Sequence, residues 1–380
     1  MKIAVVVNTS WNVFNFRMSL VKAFLAKGHE VHTIAPHDEY TQRLTEAGCV
    51  HHNLKMDSRG ANPVKDLALI FEFKSVYQKI KPDVVLNFTV KPNVYSTLAA
   101  ALLKIPVINN VCGLGTVFLK RGIVSKIARL LYKISFRFSR KVFFQNEDDL
   151  HLFVSERLVA FEKAEVLPGS GININDFKPE SYKSRDVFTF LVVSRLIYDK
   201  GISEYIDAIK ILHKYGVKAR FQLLGAKDPE HMRGIPIRKL QEWIDNGWVE
   251  YFGKADSVVP FINAADCVLL PSYREGAPRS LMEAACLQKP LITTNVPGCK
   301  QVVEDNYNGF LCEVQDAEDL AVAMGRMIQL TEQERLQMGI NGRKKMEKEF
   351  SDSIVIRKYF TAIESIFSDE LSLEWIKLAS

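Results

Sequence analysis

The chain has 380 residues, 47% hydrophobic and 25% charged, with a formal net charge of +6. That length accommodates two domains of ordinary size, and the balance of apolar and charged residues excludes a disordered or fibrous chain. No run approaches the roughly eighteen uncharged apolar residues of a membrane span, and the opening Met1-Lys-Ile-Ala-Val-Val-Val-Asn8 reads as a strand ending in polar residues, not a signal peptide, so the protein is expected in the cytoplasm.

Short apolar runs alternate with helix-length amphipathic segments, the pattern of helices packed on both faces of a parallel sheet. In the first half the candidate strands are 2–7, 30–35, 84–88, 107–110, 141–144 and 165–167. His51 and His52, adjacent in sequence, point to opposite faces on a strand and show no ligand spacing. The six cysteines, Cys49, Cys112, Cys267, Cys286, Cys299 and Cys312, are scattered beside apolar residues and read as small buried hydrophobes. No Asp-x-Asp occurs that would hold a metal on a diphosphate. Glu147-Asp148-Asp149 reads as the acidic first turn of a helix after Asn146.

The charge is unevenly spread. Residues 1–180 carry 24 Lys and Arg against 16 Asp and Glu, while residues 181–380 carry 26 against 28, so the positive surplus lies in the first half. Between Asp83 and Glu147 no acidic residue occurs, whereas Lys91, Lys104, Lys120, Arg121, Lys126, Arg129, Lys133, Arg137, Arg140 and Lys141 all do. Within this stretch 122–141 reads as a helix, with Ile123, Ile127, Leu130, Leu131 and Ile134 at helical spacing and Lys126, Arg129, Lys133 and Arg137 interleaved. A basic amphipathic helix of this kind suits anionic lipid headgroups or a lipid-linked diphosphate. The bland alternative is a helix packed on its own domain with solvated lysines. Nucleic acid is not expected as a partner, since no recognised motif is present and Phe136 and Phe138 are the nearest aromatic platform.

A stretch rich in Gly, Asn, Pro and Ser between Gly169 and Asp186 marks a join, giving domains at 1–175 and 185–350, with a helix at about 355–380 returning to the first. The second half offers strands at 187–193, 220–224, 249–251, 267–270, 290–293 and 309–312. Each half supports one doubly wound sheet, whose ligands lie at the carboxyl ends of the strands, and the natural site for two such domains is the cleft they face.

After the strand ending at Val193, Ser194-Arg-Leu-Ile-Tyr-Asp-Lys-Gly201 places Arg195 and Lys200 where two cations can neutralise a diphosphate leaving group. Gly225 and Gly253 end two further strands and leave room for a nucleobase. The strand ending at Leu270 runs into Pro271-Ser-Tyr-Arg-Glu-Gly-Ala-Pro-Arg-Ser-Leu-Met-Glu-Ala-Ala285. Gly276 and Ala277 precede Pro278, read as the first helical residue, and the amides of Arg279, Ser280 and Leu281 then cradle phosphate at a helix start. Glu283, on that helix, can accept two hydrogen bonds from a vicinal diol such as a ribose, and Glu275 lies nearer a sugar beyond the phosphates. A glycosidase pair would stand at most roughly 9.5 Å apart, whereas eight residues of helical rise give about 12 Å. A helix cap with a solvated neighbour is the plain alternative.

The ordered set Ser194-Arg-Leu…Lys200-Gly201, Leu224-Gly225, Phe252-Gly253, Ala265-Asp266, Pro271-Ser272, Glu275-Gly276…Glu283-Ala284, Val296-Pro-Gly298 and Asn308-Gly-Phe-Leu311 resembles the retaining glycosyltransferases of family 4. The resemblance implies the GT-B architecture, an α/β fold of two Rossmann-like doubly wound domains across a cleft. It implies that Arg195 and Lys200 bind the donor diphosphate, that Glu283 holds the ribose, and that Glu275 contacts the transferred sugar and supports an oxocarbenium-like transition state. It also implies retention by front-face attack, with no cofactor and no metal.

In the first domain Phe14-Asn-Phe-Arg17, Gly113-Leu-Gly115 and, inside the clamp, Arg279 resemble members that extend undecaprenyl-diphosphate-linked glycans. The function this implies is transfer of a hexose or N-acetylhexosamine from UDP-GalNAc, UDP-GlcNAc or UDP-Gal to a lipid-diphosphate-linked glycan, at the inner face of the cell membrane. Acceptor contacts are then expected from Asn15, Arg17, Thr89, Lys91, Gly113, Gly115, Lys120 and Arg121. The chain departs from the pattern in three places. Asn8-Thr-Ser-Trp11 lacks a glycine-rich loop, no histidine lies between His52 and His151, where Thr89, Lys91 or Asn93 takes the polar role, and Gln301 stands where glutamate is frequent. A nucleotide-sugar 2-epimerase and a catalytically silent nucleotide-sugar sensor are the competing readings.

Overall fold

The computed structural model describes residues 1–56, 63–114, 122–180 and 185–378. The chain divides into two compact units, Met1–Gly171 with the chain from Asp352 onward, and Ile172–Ser351.

The first unit is a seven-stranded sheet of β1 (Lys2–Val6), β2 (Glu30–Ala35), β3 (Val50–Asn53), β4 (Val84–Phe88), β5 (Val107–Val111), β6 (Lys141–Phe144) and β7 (Ala164–Val166), in the order β3-β2-β1-β4-β5-β6-β7. Every pairing is parallel. Alternation along β1 fixes the two faces: Ala4 and Val6 enter one apolar cluster with Phe73, Tyr77 and Phe153, and Ile3, Val5 and Val7 enter the other. The helix Asp352–Leu378 covers the second face with Val355, Tyr359, Ile363 and Ile366. The Tyr359 hydroxyl accepts a hydrogen bond from Asn110 Nδ2 at 2.9 Å.

β3 was not among the expected strands. Its sequence, Val-His-His-Asn, has no apolar run, because an edge strand pairs on one side only and its side chains are partly wet. His51 and His52 do point apart: His52 Nε2 lies 2.9 Å from His32 Nδ1, while His51 Nδ1 lies 3.2 Å from Thr33 Oγ1.

The second unit has six parallel strands, β8 (Phe188–Val193), β9 (Ala219–Leu224), β10 (Glu250–Tyr251), β11 (Cys267–Leu270), β12 (Leu291–Thr294) and β13 (Gly309–Cys312), in the order β10-β9-β8-β11-β12-β13. Phe190 and Val192 face one core, Leu191 the other. In each sheet the strand order reverses once, between β1 and β4 and between β8 and β11, and such a reversal opens a crevice at the carboxyl ends of the two strands.

The basic helix is shorter than its periodicity predicts. It spans Ile123–Ser135 and stops before Lys141, because the Arg140 amide is already engaged by the Val107 carbonyl at 2.9 Å as the chain enters β6. Asn146 caps the next helix by accepting from the Asp149 amide at 2.8 Å, with Glu147, Asp148 and Asp149 in its first turn as expected. All six cysteines are free, and all but the half-buried Cys112 are buried.

Candidate active site

The loops that leave β8 and β11 flank the reversal of the second sheet, and they are tied together at several points. Gly201, at φ +70°, sits where a Cβ would run into the Pro271 carbonyl, so only glycine lets the two loops close on each other. The Asp199 carbonyl accepts from the Tyr273 amide at 2.9 Å and from Ser272 Oγ at 3.0 Å. Across this seam Lys200 Nζ forms an ion pair with Glu275 Oε1, and both side chains are less than one-fifth exposed.

Glu275 is held from the other side too. Its amide donates to the Pro297 carbonyl at 3.1 Å, and Gly298, at φ +84°, lies so close beneath the Glu275 and Gly276 carbonyls that a Cβ there would collide with both. This is the physical content of Val296-Pro-Gly298. Gln301 Oε1 accepts from the Gly298 amide at 2.7 Å, so the position expected to lack a charge serves to fix this turn.

The helix behind the loop spans Arg279–Cys286, and Pro278 is its N-cap with φ −72° and ψ 107°, so the helix starts one residue later than expected. The first-turn amides of Arg279, Ser280 and Leu281 open this helix toward Gly276 and Ala277. The Leu281 side chain is wholly in the core, which leaves only its backbone for a ligand. Arg279 Nε donates to Glu283 Oε1 at 2.9 Å, one turn on. Burial pushes the Glu283 carboxyl above the usual range, and Arg279 pulls it part of the way back.

The remaining donor candidates ring the same edge. Arg195 is 58% exposed, and its Nη1 lies 3.7 Å from Asp228 Oδ2. Ser194 Oγ lies in the same loop and donates to the Arg195 carbonyl at 3.2 Å. Gly225 donates its amide to the Gly253 carbonyl at 2.8 Å and accepts from Tyr251 Oη at 2.9 Å, so the ends of β9 and β10 are locked side by side. Asp228, three residues past Gly225, and Arg233, which donates from Nε to Asp199 Oδ1 at 2.9 Å, belong to the site and were missed because each is an isolated charge in sequence. The Tyr273 hydroxyl donates to Glu204 Oε1 at 2.7 Å and anchors the loop further.

In the first unit the structure separates the acceptor candidates. Lys91 Nζ is 2.6 Å from Asp66 Oδ1 with both groups nearly buried, so its charge is already neutralised, and Asn93 is a core residue donating to the Asn110 carbonyl at 2.9 Å. Thr89 stands at φ +70°, a conformation that costs a β-branched residue about 1–3 kcal/mol, with its hydroxyl oxygen buried and unpartnered. Asn15 is exposed and donates back to the Trp11 carbonyl at 2.9 Å. Arg17 is 4% exposed beneath the ends of β4 and β5, and Gly113 lies just past β5 at φ +125°. Gly115, Lys120 and Arg121 lie outside the described residues.

The basic helix Ile123–Ser135 turns its face inside out relative to an ordinary surface helix. Ser125, Tyr132 and Ser135 are buried, whereas Ile123, Val124, Ile127, Leu130 and Ile134 are exposed, with Lys126 and Lys133 exposed among them. Two of the four expected cations differ from the sequence reading: Arg129 pairs with Glu156 and anchors the helix, and Arg137 lies past the helix end. Among the described residues no helix is long and apolar enough to cross a membrane.

This arrangement of two parallel Rossmann-like sheets, with a lysine, two carboxylates and a helix start at the reversal of the second, is that of a GT-B glycosyltransferase. Residues 173–345 match the family described as glycosyl transferases group 1, and residues 2–146 match the one described as glycosyl transferase 4-like; the chain belongs to these glycosyltransferases. It is 26% identical over 387 residues, covering 97% of this chain and 100% of the relative, to the N,N'-diacetylbacillosaminyl-diphospho-undecaprenol alpha-1,3-N-acetylgalactosaminyltransferase of Campylobacter jejuni. It is 23% identical over 280 residues, 71% of this chain and 72% of the other, to the UDP-Gal:alpha-D-GlcNAc-diphosphoundecaprenol alpha-1,3-galactosyltransferase of Escherichia coli. The same fold occurs in a glycosyltransferase from Rickettsia africae, with a TM-score of 0.79 at 19% identity over 96% of this chain and 98% of that one. It occurs also in HepE from Anabaena in complex with UDP and glucose, with a TM-score of 0.76 at 17% identity over 96% and 100%.

Proposed function

We propose that this protein transfers an N-acetylhexosamine or hexose from a UDP-sugar to a glycan carried on a membrane lipid diphosphate, with retention of configuration and without a metal. The observation that carries the donor half of the reading is the Lys200–Glu275 pair at the strand reversal, beside the Arg279–Cys286 helix start. The ammonium and the first-turn amides suit the diphosphate, Glu283 suits the ribose and Glu275 the sugar, so that one ligand spans the loop. Lys200 and Glu275 are also each other's ion-pair partners, so neither charge is buried without a counter-charge.

In the reaction the bond from the sugar C1 to the β-phosphate oxygen breaks, and a bond from C1 to an acceptor hydroxyl oxygen forms on the same face. The acceptor proton passes to the departing phosphate oxygen. Negative charge grows on that oxygen in the transition state, where Lys200 and Arg195 stabilise it, while Glu275 stabilises the oxocarbenium-like sugar.

The acceptor half rests on the outward apolar face of Ile123–Ser135 with Lys126 and Lys133, which suits the interface of an anionic bilayer and a peripheral position on the inner face of the cell membrane. The relatives transfer to undecaprenyl-diphosphate-linked sugars, which makes UDP-GalNAc the first donor to test and favours transfer over epimerisation or silent sensing. A mass-spectrometric screen of UDP-GalNAc, UDP-GlcNAc and UDP-Gal against lipid-diphosphate-linked mono- and oligosaccharides, with EDTA present, is the test. One added sugar on the lipid supports the reading; a free C2 epimer of the donor, or no product from any pair, opposes it.

A further inference from the structure

Arg17 closes the helix Ser10–Phe16 and runs under the carboxyl ends of β4 and β5, beside the reversal of the first sheet. Its guanidinium lies 4.4 Å from the centre of the Phe88 ring, and Nη2 is 3.1 Å from Cys112 Sγ. The residue is 4% exposed, its Nε is buried without an acceptor, and no carboxylate pairs with it among the described residues. A guanidinium carries five N–H donors, and a thiol is a weak acceptor. A cation removed from water with its hydrogen bonds unmade is costly, and structures keep one where an anion completes it. The next residue after Phe88 is Thr89, strained and with its own hydroxyl oxygen buried and unpartnered, so a second incomplete polar group belongs to the strand end against which Arg17 packs. Lys91, the other cation of that loop, is held by Asp66.

We propose that Arg17, supported by Thr89, is the anion subsite of the first unit, and that it takes an oxygen of the acceptor's diphosphate. The phosphate oxygen replaces Cys112 Sγ at Nη2 and fills Nε, which the planar fork of arginine can offer together. Cys112 is only partly buried, so its contact with Nη2 is the part of the Arg17 environment nearest to solvent. The choice of a diphosphate as the anion rests on the lipid-diphosphate acceptor proposed above; the need for an anion does not.

The experiment uses the full chain with saturating UDP, so that the donor site is filled, and pyrophosphate as the probe. Pyrophosphate raises the melting temperature of the wild type and not that of Arg17→Gln, and shifts Arg17→Lys less, because lysine keeps the charge without the fork. In transfer assays Arg17→Gln raises KM for the lipid-diphosphate acceptor tenfold or more and leaves UDP affinity unchanged. A pyrophosphate shift equal in wild type and Arg17→Gln, or no shift in the wild type, overturns the subsite. If Arg17→Gln is too unstable to assay, an undiminished shift in Arg17→Lys does the same. If the pyrophosphate shift depends on Arg17 but no lipid diphosphate accepts sugar, the subsite stands and the acceptor reading falls.

Discussion

Lys200 and Glu275 form an ion pair across 75 residues of sequence because β8 and β11, whose trailing loops carry them, are neighbours in the sheet. Neither is a surface charge, and each is the other's ion-pair partner. Lys200→Ala and Glu275→Ala should each lower turnover by about 10² or more, as loss of a charge-stabilising group does. Since they act as a unit, the double variant should lose little more than either single one. Losses that multiply in the double variant, measured as kcat with a fixed acceptor, would show that they work independently.

Arg279 and Glu283 make the second pair, and there the pH dependence is diagnostic. Burial raises the Glu283 carboxyl while Arg279 lowers it, so Arg279→Ala leaves the burial effect alone. A carboxyl whose folded value is raised loses its stability contribution as pH rises through that value, and keeps it below the unfolded value near 4.5. Arg279→Ala should therefore cost about 1–3 kcal/mol at pH 8 and much less at pH 4.5, by denaturant unfolding. Glu283→Gln added to Arg279→Ala should recover part of the loss at pH 8. A cost independent of pH would assign Arg279 a packing role only.

Lys289 is held by burial and by the nearby Arg185 at a value of about 8 instead of 10.5, with Asp266 and Glu180 opposing. Its Nζ donates to the Asn263 carbonyl at 3.0 Å, and Arg185 Nη2 donates to that same carbonyl at 2.9 Å. A depressed amine contributes stability above its unfolded value and loses it as pH falls through the folded one. Lys289→Met keeps the stem, and the carbonyl retains a donor. The stability of the variant relative to wild type should thus be greatest at pH 7 and fall as pH rises to 10, by up to about 3 kcal/mol. A flat difference across that range would show that Lys289 is not desolvated.

The helix Ile123–Ser135 should separate anchoring from folding. Lys126→Glu with Lys133→Glu should lower partition onto anionic vesicles about tenfold or more. Ile127→Asp with Leu130→Asp, both exposed, should abolish it while leaving the melting temperature unchanged or higher. Arg129→Glu should instead destabilise the unit, because Arg129 pairs with Glu156. Unchanged sedimentation of both double variants with vesicles would remove the membrane reading.

Much of this was legible in the chain because buried parallel strands are continuous apolar runs, and β1, β4, β6, β8 and β11 declare themselves that way. β3 does not, since an edge strand needs no apolar run. The clamp residues were legible as residue types at strand ends, but their pairing was not. Chain order places Lys200 and Glu275 in different loops, and only the β8–β11 adjacency joins them. The same holds in the first unit, where Lys91 looked as available as Arg17 until Asp66, 25 residues earlier, was found against it. Helical spacing located the basic helix but could not say which side faces out, and the apolar side does.

Transfer to a lipid diphosphate is decided by measuring UDP release and lipid-linked product together, from one UDP-sugar and one lipid-diphosphate acceptor. We expect one UDP released for each sugar joined to the lipid, in the anomeric configuration of the donor, and almost none without acceptor. UDP release that ignores the acceptor, or a product of inverted configuration, would contradict it.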